Sequence, residues 1–249
     1  KISLTMQHKP KIHNTHKIEL EKTVMECSNK ITSLNPNYFP TQKNNFQYWR
    51  LNYHFSQEKR DYKEYPLDGT FKELSVEFLN STISNYKNLN VTTKIEHHKK
   101  FKPRWSIGNS IKTKITSTTN TPYVLNEALG FEDYLRGYEY YVIDGSHFTL
   151  SKTAIKWAAI PTQETSLSII PWQQFKKTHF SVYLSIFADI GYVYDENIYL
   201  EKNSLHNELL MSTGISLDII TYYDKLLRLE LSKNHMNEIG FFIHFSNPF

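Results

Sequence analysis

The side chains best suited to metal chemistry in this sequence are its histidines. Three of them cluster early in the chain (His8, His13 and His16), and two are adjacent (His97 and His98). Adjacent residues of an extended strand point to opposite faces, so His97 and His98 do not readily share one ion. The early group has no carboxylate or cysteine at helical ligand spacing, and no H-E-x-x-H motif occurs. The sequence therefore predicts no metal site and no cofactor.

Motifs for covalent catalysis and for nucleotide binding are also absent from the sequence. No G-x-S-x-G occurs, and the single cysteine, Cys27, has no motif around it. The stretch "GNSIKTK", which starts at Gly108, lacks the G-x-x-x-x-G-K pattern of a P-loop. We therefore expect that the protein is not an enzyme. The alternative that these patterns leave open is an active site assembled across several strands.

Composition narrows the class of protein further. Hydrophobic residues make up 39% of the 249 residues, and no segment approaches the ~20 consecutive apolar residues of a membrane-spanning helix. Lys and Arg number 29 against 25 Asp and Glu, and they are scattered along the chain. This balance gives no basis for a nucleic-acid partner, and we expect none. The chain starts without Met or the apolar core of a signal peptide, so we expect a removed signal or an internal start.

Alternation of apolar and polar residues dominates the sequence. In "FSVYLSIFADIGYVYDE", for example, Leu184, Ile186 and Ile190 share one face of an extended strand, whereas Ser185 and Asp189 share the other. A period of two predicts β-strands. Eleven strands are predicted, at 2–9, 12–25, 46–60, 70–81, 90–101, 104–118, 147–160, 179–194, 208–223, 226–234 and 238–249. The best helical candidate is the short stretch 126–137, "NEALGFEDYLRG".

The length of these strands favours a membrane barrel. Strands of soluble proteins average about 5–6 residues, whereas tilted strands that span a membrane need about 9–11. The polar faces also carry Lys, Arg, Asp and Glu, which the dry core of a β-sandwich would leave unpaired. We therefore predict an all-β fold, a transmembrane antiparallel β-barrel. A soluble β-sandwich with one solvated face per sheet is the alternative.

Three segments in a fixed order carry a resemblance to a known family. Within the long loop 119–146 lies "LRGY", at residues 135–138, and further on lies "FADIG", at residues 187–191. The chain then ends on an alternating apolar strand, with Phe241, Ile243, Phe245 and Phe249 on one face. These segments resemble the C-terminal barrel of the BamA/TamA family of outer-membrane assembly proteins. That family carries a V-R-G-F/Y motif on an infolded loop and an F-x-D-x-G motif on the barrel wall.

The resemblance implies an architecture and a set of roles. Residues 1–249 would form the last eleven or so strands of a sixteen-stranded barrel, without the periplasmic POTRA modules, and loop 119–146 would fold into the lumen. Arg136 would pair with Asp189, since a planar guanidinium can bind a carboxylate at two points. The family motifs carry weaker roles to the remaining motif residues, which are Leu135, Gly137, Tyr138, Phe187 and Gly191. Lys152 and Lys156 depart from the family, whose members often have an acid on that strand.

The terminal strand resembles the ending that assembly machinery reads on outer-membrane barrels. Its alternating apolar residues and final aromatic, Phe249, present an edge that strand addition can capture. Pro248 departs from a regular strand, because it removes one ladder donor beside that ending.

The function implied is insertion and folding of other outer-membrane proteins, in the bacterial outer membrane, through a weak seam between the first and last strands. The implied partners are unfolded outer-membrane protein clients, outer-membrane lipids including lipopolysaccharide, and accessory lipoproteins. A polypeptide-translocating or porin-like barrel is the alternative function.

Overall fold

The computed structural model describes residues 1–41, 43–118, 121–166, 177–196, 205–221 and 225–246. Eleven strands form one antiparallel sheet, in which each strand pairs with its neighbours in chain order. The strands of this sheet are β1 (Ile2–Lys11), β2 (Asn14–Glu26), β3 (Asn45–Arg60), β4 (Gly69–Ser81), β5 (Tyr86–Lys102), β6 (Trp105–Thr116), β9 (His147–Ser166), β10 (Lys177–Tyr194), β11 (Leu209–Ile220), β12 (Leu226–Asn234) and β13 (Ile239–Ser246). A single sheet of this width excludes the sandwich alternative.

The two faces of the sheet differ as the alternation predicts. Large apolar side chains are exposed on one face, which we term the apolar face; Leu184, Ile186 and Ile190 of β10 are examples. Ser185 and Asp189 of the same strand lie buried on the opposite face. The apolar face has no protein layer over it among the described residues, which suits contact with lipid rather than water.

The opposite face, which we term the loop-side face, carries paired charges. Arg50 of β3 bridges Glu21 of β2 and Glu77 of β4, at 2.6 and 3.3 Å. Arg60 contacts Glu58 and Glu96 in the same manner. Three of these pairs lie between neighbouring or nearby strands, and Arg60–Glu58 lies within β3, so the charges on this face stabilise one another instead of facing an apolar layer.

The long connection between β6 and β9 folds over the loop-side face. It contains a 3₁₀ turn at Tyr123–Leu125 and two short strands that pair with each other, β7 (Glu127–Leu129) and β8 (Ile143–Asp144). Its buried residues form one apolar cluster with side chains of β9, β10, β11 and the segment just before β11. The cluster comprises Ala128, Leu129, Leu135, Tyr138, Ile143, Phe148, Leu150, Val193, Leu205 and Leu210. The loop is therefore packed onto the sheet.

The best helical candidate of the sequence, 126–137, is not a helix. Residues 127–129 are extended in β7, and Gly130 has φ +93°, a conformation that ends regular helical or strand geometry. A short helix that the sequence did not predict, α1 (Asn29–Leu34), lies in the connection between β2 and β3. No helix in the described ranges is long and apolar enough to cross a membrane.

The predicted strands are present with shifted ends. The largest difference is β9, predicted to end at residue 160 but continuous to Ser166. Pro161 lies where the register between β9 and β10 shifts, between the pairs Gln163–Phe180 and Ile160–Val182. A proline is tolerated inside a strand at such an irregularity because no ladder hydrogen bond is required of it there.

If the apolar face contacts lipid, a charge at its centre should destabilise the protein. Ile186 lies in the middle of β10, opposite Ile155 and Ile215. Ile186→Lys should lower the free energy of unfolding by about 2–4 kcal/mol, measured by urea titration in lipid vesicles. The control is Ile83→Lys, since Ile83 is equally apolar and exposed but lies in the turn between β4 and β5. Equal effects of the two substitutions would contradict a lipid-facing sheet.

Candidate functional site: the loop–wall contact

Arg136 of the β6–β9 loop lies against Asp189 of β10. Its Nε donates to Asp189 Oδ2 at 2.6 Å, and its Nη2 donates to Asp189 Oδ1 at 2.5 Å. The side chains are 8% and 0% exposed. Charge-assisted bonds at two points are among the stronger polar contacts in proteins, and they fix the orientation of both groups. The pair therefore fixes one point of the loop on the wall.

Phe187 and Gly191 complete the wall side of this contact. Because successive side chains of a strand alternate between faces, both lie on the same face as Asp189. The Arg136 guanidinium carbon lies 3.8 Å from the centre of the Phe187 ring, a cation–π contact. A Cβ at Gly191 would come within 3.3 Å of Leu129 and 3.6 Å of Leu135. The glycine thus lets the loop approach the wall closely.

Gly137 and Tyr138 shape the loop side. Gly137 has φ +81°, which side-chain-bearing residues rarely adopt. The Tyr138 hydroxyl donates to the backbone oxygen of Met211 at 3.2 Å and also contacts His235 Nδ1. Burial raises the pKa of Tyr138, so its hydroxyl remains a donor at neutral pH. The loop is thereby joined to β11 and to the turn that follows β12.

Lys152 and Lys156 replace the acid expected on β9. Lys152 lies opposite Asp189 in the register of the sheet, and its Nζ lies 4.1 Å from the centre of the Tyr134 ring. The Lys156 Nζ lies 3.9 Å from the Tyr65 ring and donates to Pro66 O at 3.0 Å. Lys152 thus contacts an aromatic ring, and Lys156 contacts both a ring and a carbonyl oxygen. The sequence did not predict this pattern.

A second connection also reaches the loop-side face of the last strands. Tyr65, between β3 and β4, packs on Tyr183 and donates its hydroxyl to Asp218 Oδ2 at 2.7 Å. Arg228 of β12 binds the same carboxylate, with Nε to Oδ1 at 2.7 Å. Burial and the nearby Asp218 carboxylate raise the pKa of Tyr65 well above its usual range, so it stays protonated and donates. Sequence reasoning missed this contact, which joins residues far apart along the chain.

The terminal strand presents its apolar side chains outward. Ile239, Phe241, Ile243 and Phe245 of β13 are 58–71% exposed, on the apolar face. Phe249 and Pro248 lie outside the described residues. Of the early histidines, His8 lies opposite His16 in the β1–β2 register, and His16 contacts the Tyr53 hydroxyl. His13 contacts the Glu58 backbone oxygen instead.

Fold and site together define a transmembrane β-barrel wall with a loop packed on its inner side. Over residues 1–229 the sequence matches the Omp85 superfamily domain. The chain belongs to the Omp85 superfamily, and it is an outer-membrane protein. The expected similarity to BamA/TamA-type barrels is confirmed, as is the all-β barrel fold.

Among solved structures, the chain is similar to that described as BamA from Haemophilus ducreyi lacking POTRA domains 1-3, with TM-score 0.66 and 16% identity. The similarity covers 97% of this chain and 52% of the BamA chain, so this chain spans about half its length. At this identity the likeness shows the fold alone. A search of curated proteins finds no significant match. The total of sixteen strands stays a prediction.

Removal of either partner from the Arg136–Asp189 pair should leave a buried, unpaired charge. Arg136→Ala and Asp189→Ala should each lower the free energy of unfolding by about 3–5 kcal/mol, measured by urea titration in detergent. The double variant should lose less than the sum of the two, by about 0.5–3 kcal/mol. Arg136→Ala combined with Glu21→Ala on β2 is the control and should be additive. Additivity at Arg136 and Asp189 would show that the contact contributes no coupling energy.

Proposed function

We propose that this protein inserts and folds other β-barrel proteins in the outer membrane and that β13 provides the edge on which client strands assemble. No covalent chemistry is required. The observation that carries the proposal is the match of residues 1–229 to the Omp85 superfamily domain, together with the outward-facing apolar stripe of β13. This strand pairs with β12 through Phe241–Leu231, Ile243–Leu229 and Phe245–Leu227.

A strand edge that opens at a barrel seam within lipid would have a specific physical consequence. Unpaired N–H and C=O groups in hydrocarbon are costly, so they favour pairing with any available strand. In a complete barrel the partner of β13 would be the first strand. If that seam is weak, an unfolded client hairpin can replace the first strand by β-augmentation. Local thinning of the bilayer beside the seam would lower the barrier to insertion. The partners that follow are outer-membrane clients, lipids including lipopolysaccharide, and accessory lipoproteins.

The infolded loop would set the position of this edge from inside the lumen. Asn234 Nδ2, at the end of β12, donates to the Gly137 backbone oxygen at 3.2 Å. The Tyr141 hydroxyl donates to Glu238, in the turn before β13, at 2.8 Å. Because Arg136 is bound to Asp189, displacement of the loop from β10 would also disturb the β12–β13 hairpin. We propose that the Arg136–Asp189 pair supports assembly through this connection.

Loss of this pair should reduce client assembly. Arg136→Ala and Asp189→Ala in the full-length protein should each lower the level of folded client barrels in cells that depend on the variant. Client levels and the heat-modifiable migration of the variant itself on gels are the measurements. Normal values of both quantities in both variants would exclude a role for the pair.

Arg50→Ala is the matched control for this experiment. It removes a similar ion pair from the loop-side face, but between β2, β3 and β4, away from the β12–β13 hairpin. Client assembly should remain closer to normal than in Arg136→Ala at equal amounts of folded protein. An equal loss in both variants would point to barrel stability in general, not to the loop.

A porin-like function predicts a different electrical behaviour. The loop packs onto the wall through a buried apolar cluster, and the connection that carries Tyr65 covers another part of the same face. Both should obstruct a continuous aqueous path. In planar bilayers we therefore expect small and intermittent conductance. A large, steady open pore in the wild-type protein would favour the porin alternative.

A further inference from the structure

Three potential metal ligands converge at the contact between the loop and the last two strands. They are Glu139 of the loop, Glu230 of β12 and His244 of β13, and one ligand atom from each lies within 4.8 Å of the other two. They come from three separate segments, so their convergence depends on the packed loop. This group is the only one of its kind among the described residues.

The ligand atoms of this cluster lack ordinary partners. Glu230 is fully buried (0% exposed), and neither of its carboxylate oxygens has a hydrogen-bond partner in the described part of the chain. Glu139 Oε1 and His244 Nε2 are likewise buried and unpartnered there. These two atoms lie 3.6 Å apart, too far for a good hydrogen bond. Buried carboxylates are normally paired or bound to metal, so four unsatisfied atoms at one point are suited to bind a cation.

The neighbouring arginines do not supply that cation. The charged groups around Glu230 are Arg136, Arg228, Glu139 and His244. Arg136 binds Asp189 at two points, and Arg228 binds Asp218 at two points. Each arginine is thus matched by a different carboxylate. Neither arginine therefore forms a hydrogen bond with Glu139 or Glu230.

We propose that Glu139, Glu230 and His244 form a binding site for Zn²⁺. Two carboxylate oxygens and one imidazole nitrogen are a ligand set that Zn²⁺ accepts, with water in the fourth position of a tetrahedron. Metal–ligand bonds of about 2.0–2.2 Å place the ligand atoms roughly 3.3 Å apart. The cluster would contract by about an ångström or more, through side-chain rotation. Ca²⁺ and Mg²⁺ fit less well because they prefer six or more oxygen ligands.

Surrounding groups already orient two of the three ligands. The backbone N–H of Gly137 donates to Glu139 Oε2 at 2.9 Å, which leaves Oε1 directed toward His244. The His244 ring stacks on Tyr134, with centroids 5.6 Å apart and planes inclined by 17°. Such contacts restrict ligand motion and raise metal affinity.

A bound ion would join the loop directly to the terminal strand. Glu139 lies close to Arg136 in the same loop, and His244 lies in the middle of β13. Zinc would therefore restrain the same edge on which the proposed function depends. The site itself does not rest on that function, because binding is measured without any client.

Metal binding by purified protein tests this proposal. The protein is folded in detergent, treated with a chelator, and titrated with Zn²⁺ by calorimetry and with Co²⁺ by visible absorption. We expect one saturable site and absorption typical of tetrahedral cobalt with nitrogen and oxygen ligands. Glu230→Gln and Glu139→Gln should each weaken zinc binding by roughly 100-fold or more, since even changes outside the ligand shell cost 10- to 100-fold.

Glu132→Gln is the matched control, because Glu132 lies in the same loop as Glu139 but is exposed and outside the cluster. It should bind zinc as the wild type does. Heat-modifiable migration establishes that each variant is folded, and the two isosteric glutamine variants provide independent tests. Absence of a stoichiometric site in the wild-type protein, or unchanged affinity in folded Glu230→Gln and Glu139→Gln, would overturn the proposal.

Discussion

The buried ion pair of Arg136 and Asp189 is the constraint on which the inner side of this structure depends. Both side chains are removed from water, and either one alone would be a costly unpaired charge. The buried Asp189 on β10 therefore requires the loop to be packed against it, and the buried Arg136 on the loop requires β10 beside it. Gly191 allows the necessary approach, while Phe187 covers the guanidinium face.

Other contacts extend this constraint toward the last strand. Tyr138 and Tyr141 join the loop to the segment between β12 and β13. Tyr65 reaches the same strands from a different connection and meets the Asp218–Arg228 pair. Because β13 pairs with β12, these contacts connect the loop to the position of β13.

The sequence predicted the features that follow from local pattern. Alternation of residues such as Ile186 and Asp189 identified the strands and their two faces, since strand geometry has a strict period of two. The helical candidate at 126–137 is not a helix because tertiary packing of Leu129 and Leu135 outweighed a weak local preference. The contact of Tyr65 with Asp218 and the proximity of Glu139 to Glu230 depend on how connections and strands that are distant in the chain pack together. No local pattern encodes that proximity.

Hydrogen–deuterium exchange in lipid nanodiscs tests most directly whether the Arg136–Asp189 pair controls the loop and the terminal hairpin. Asp189→Asn keeps the shape of the side chain and removes its charge. Faster exchange than in the wild type is predicted across residues 126–146 and 226–246, with β2–β5 unchanged. Unchanged exchange in the loop and the β12–β13 hairpin, in a folded Asp189→Asn protein, would contradict the account.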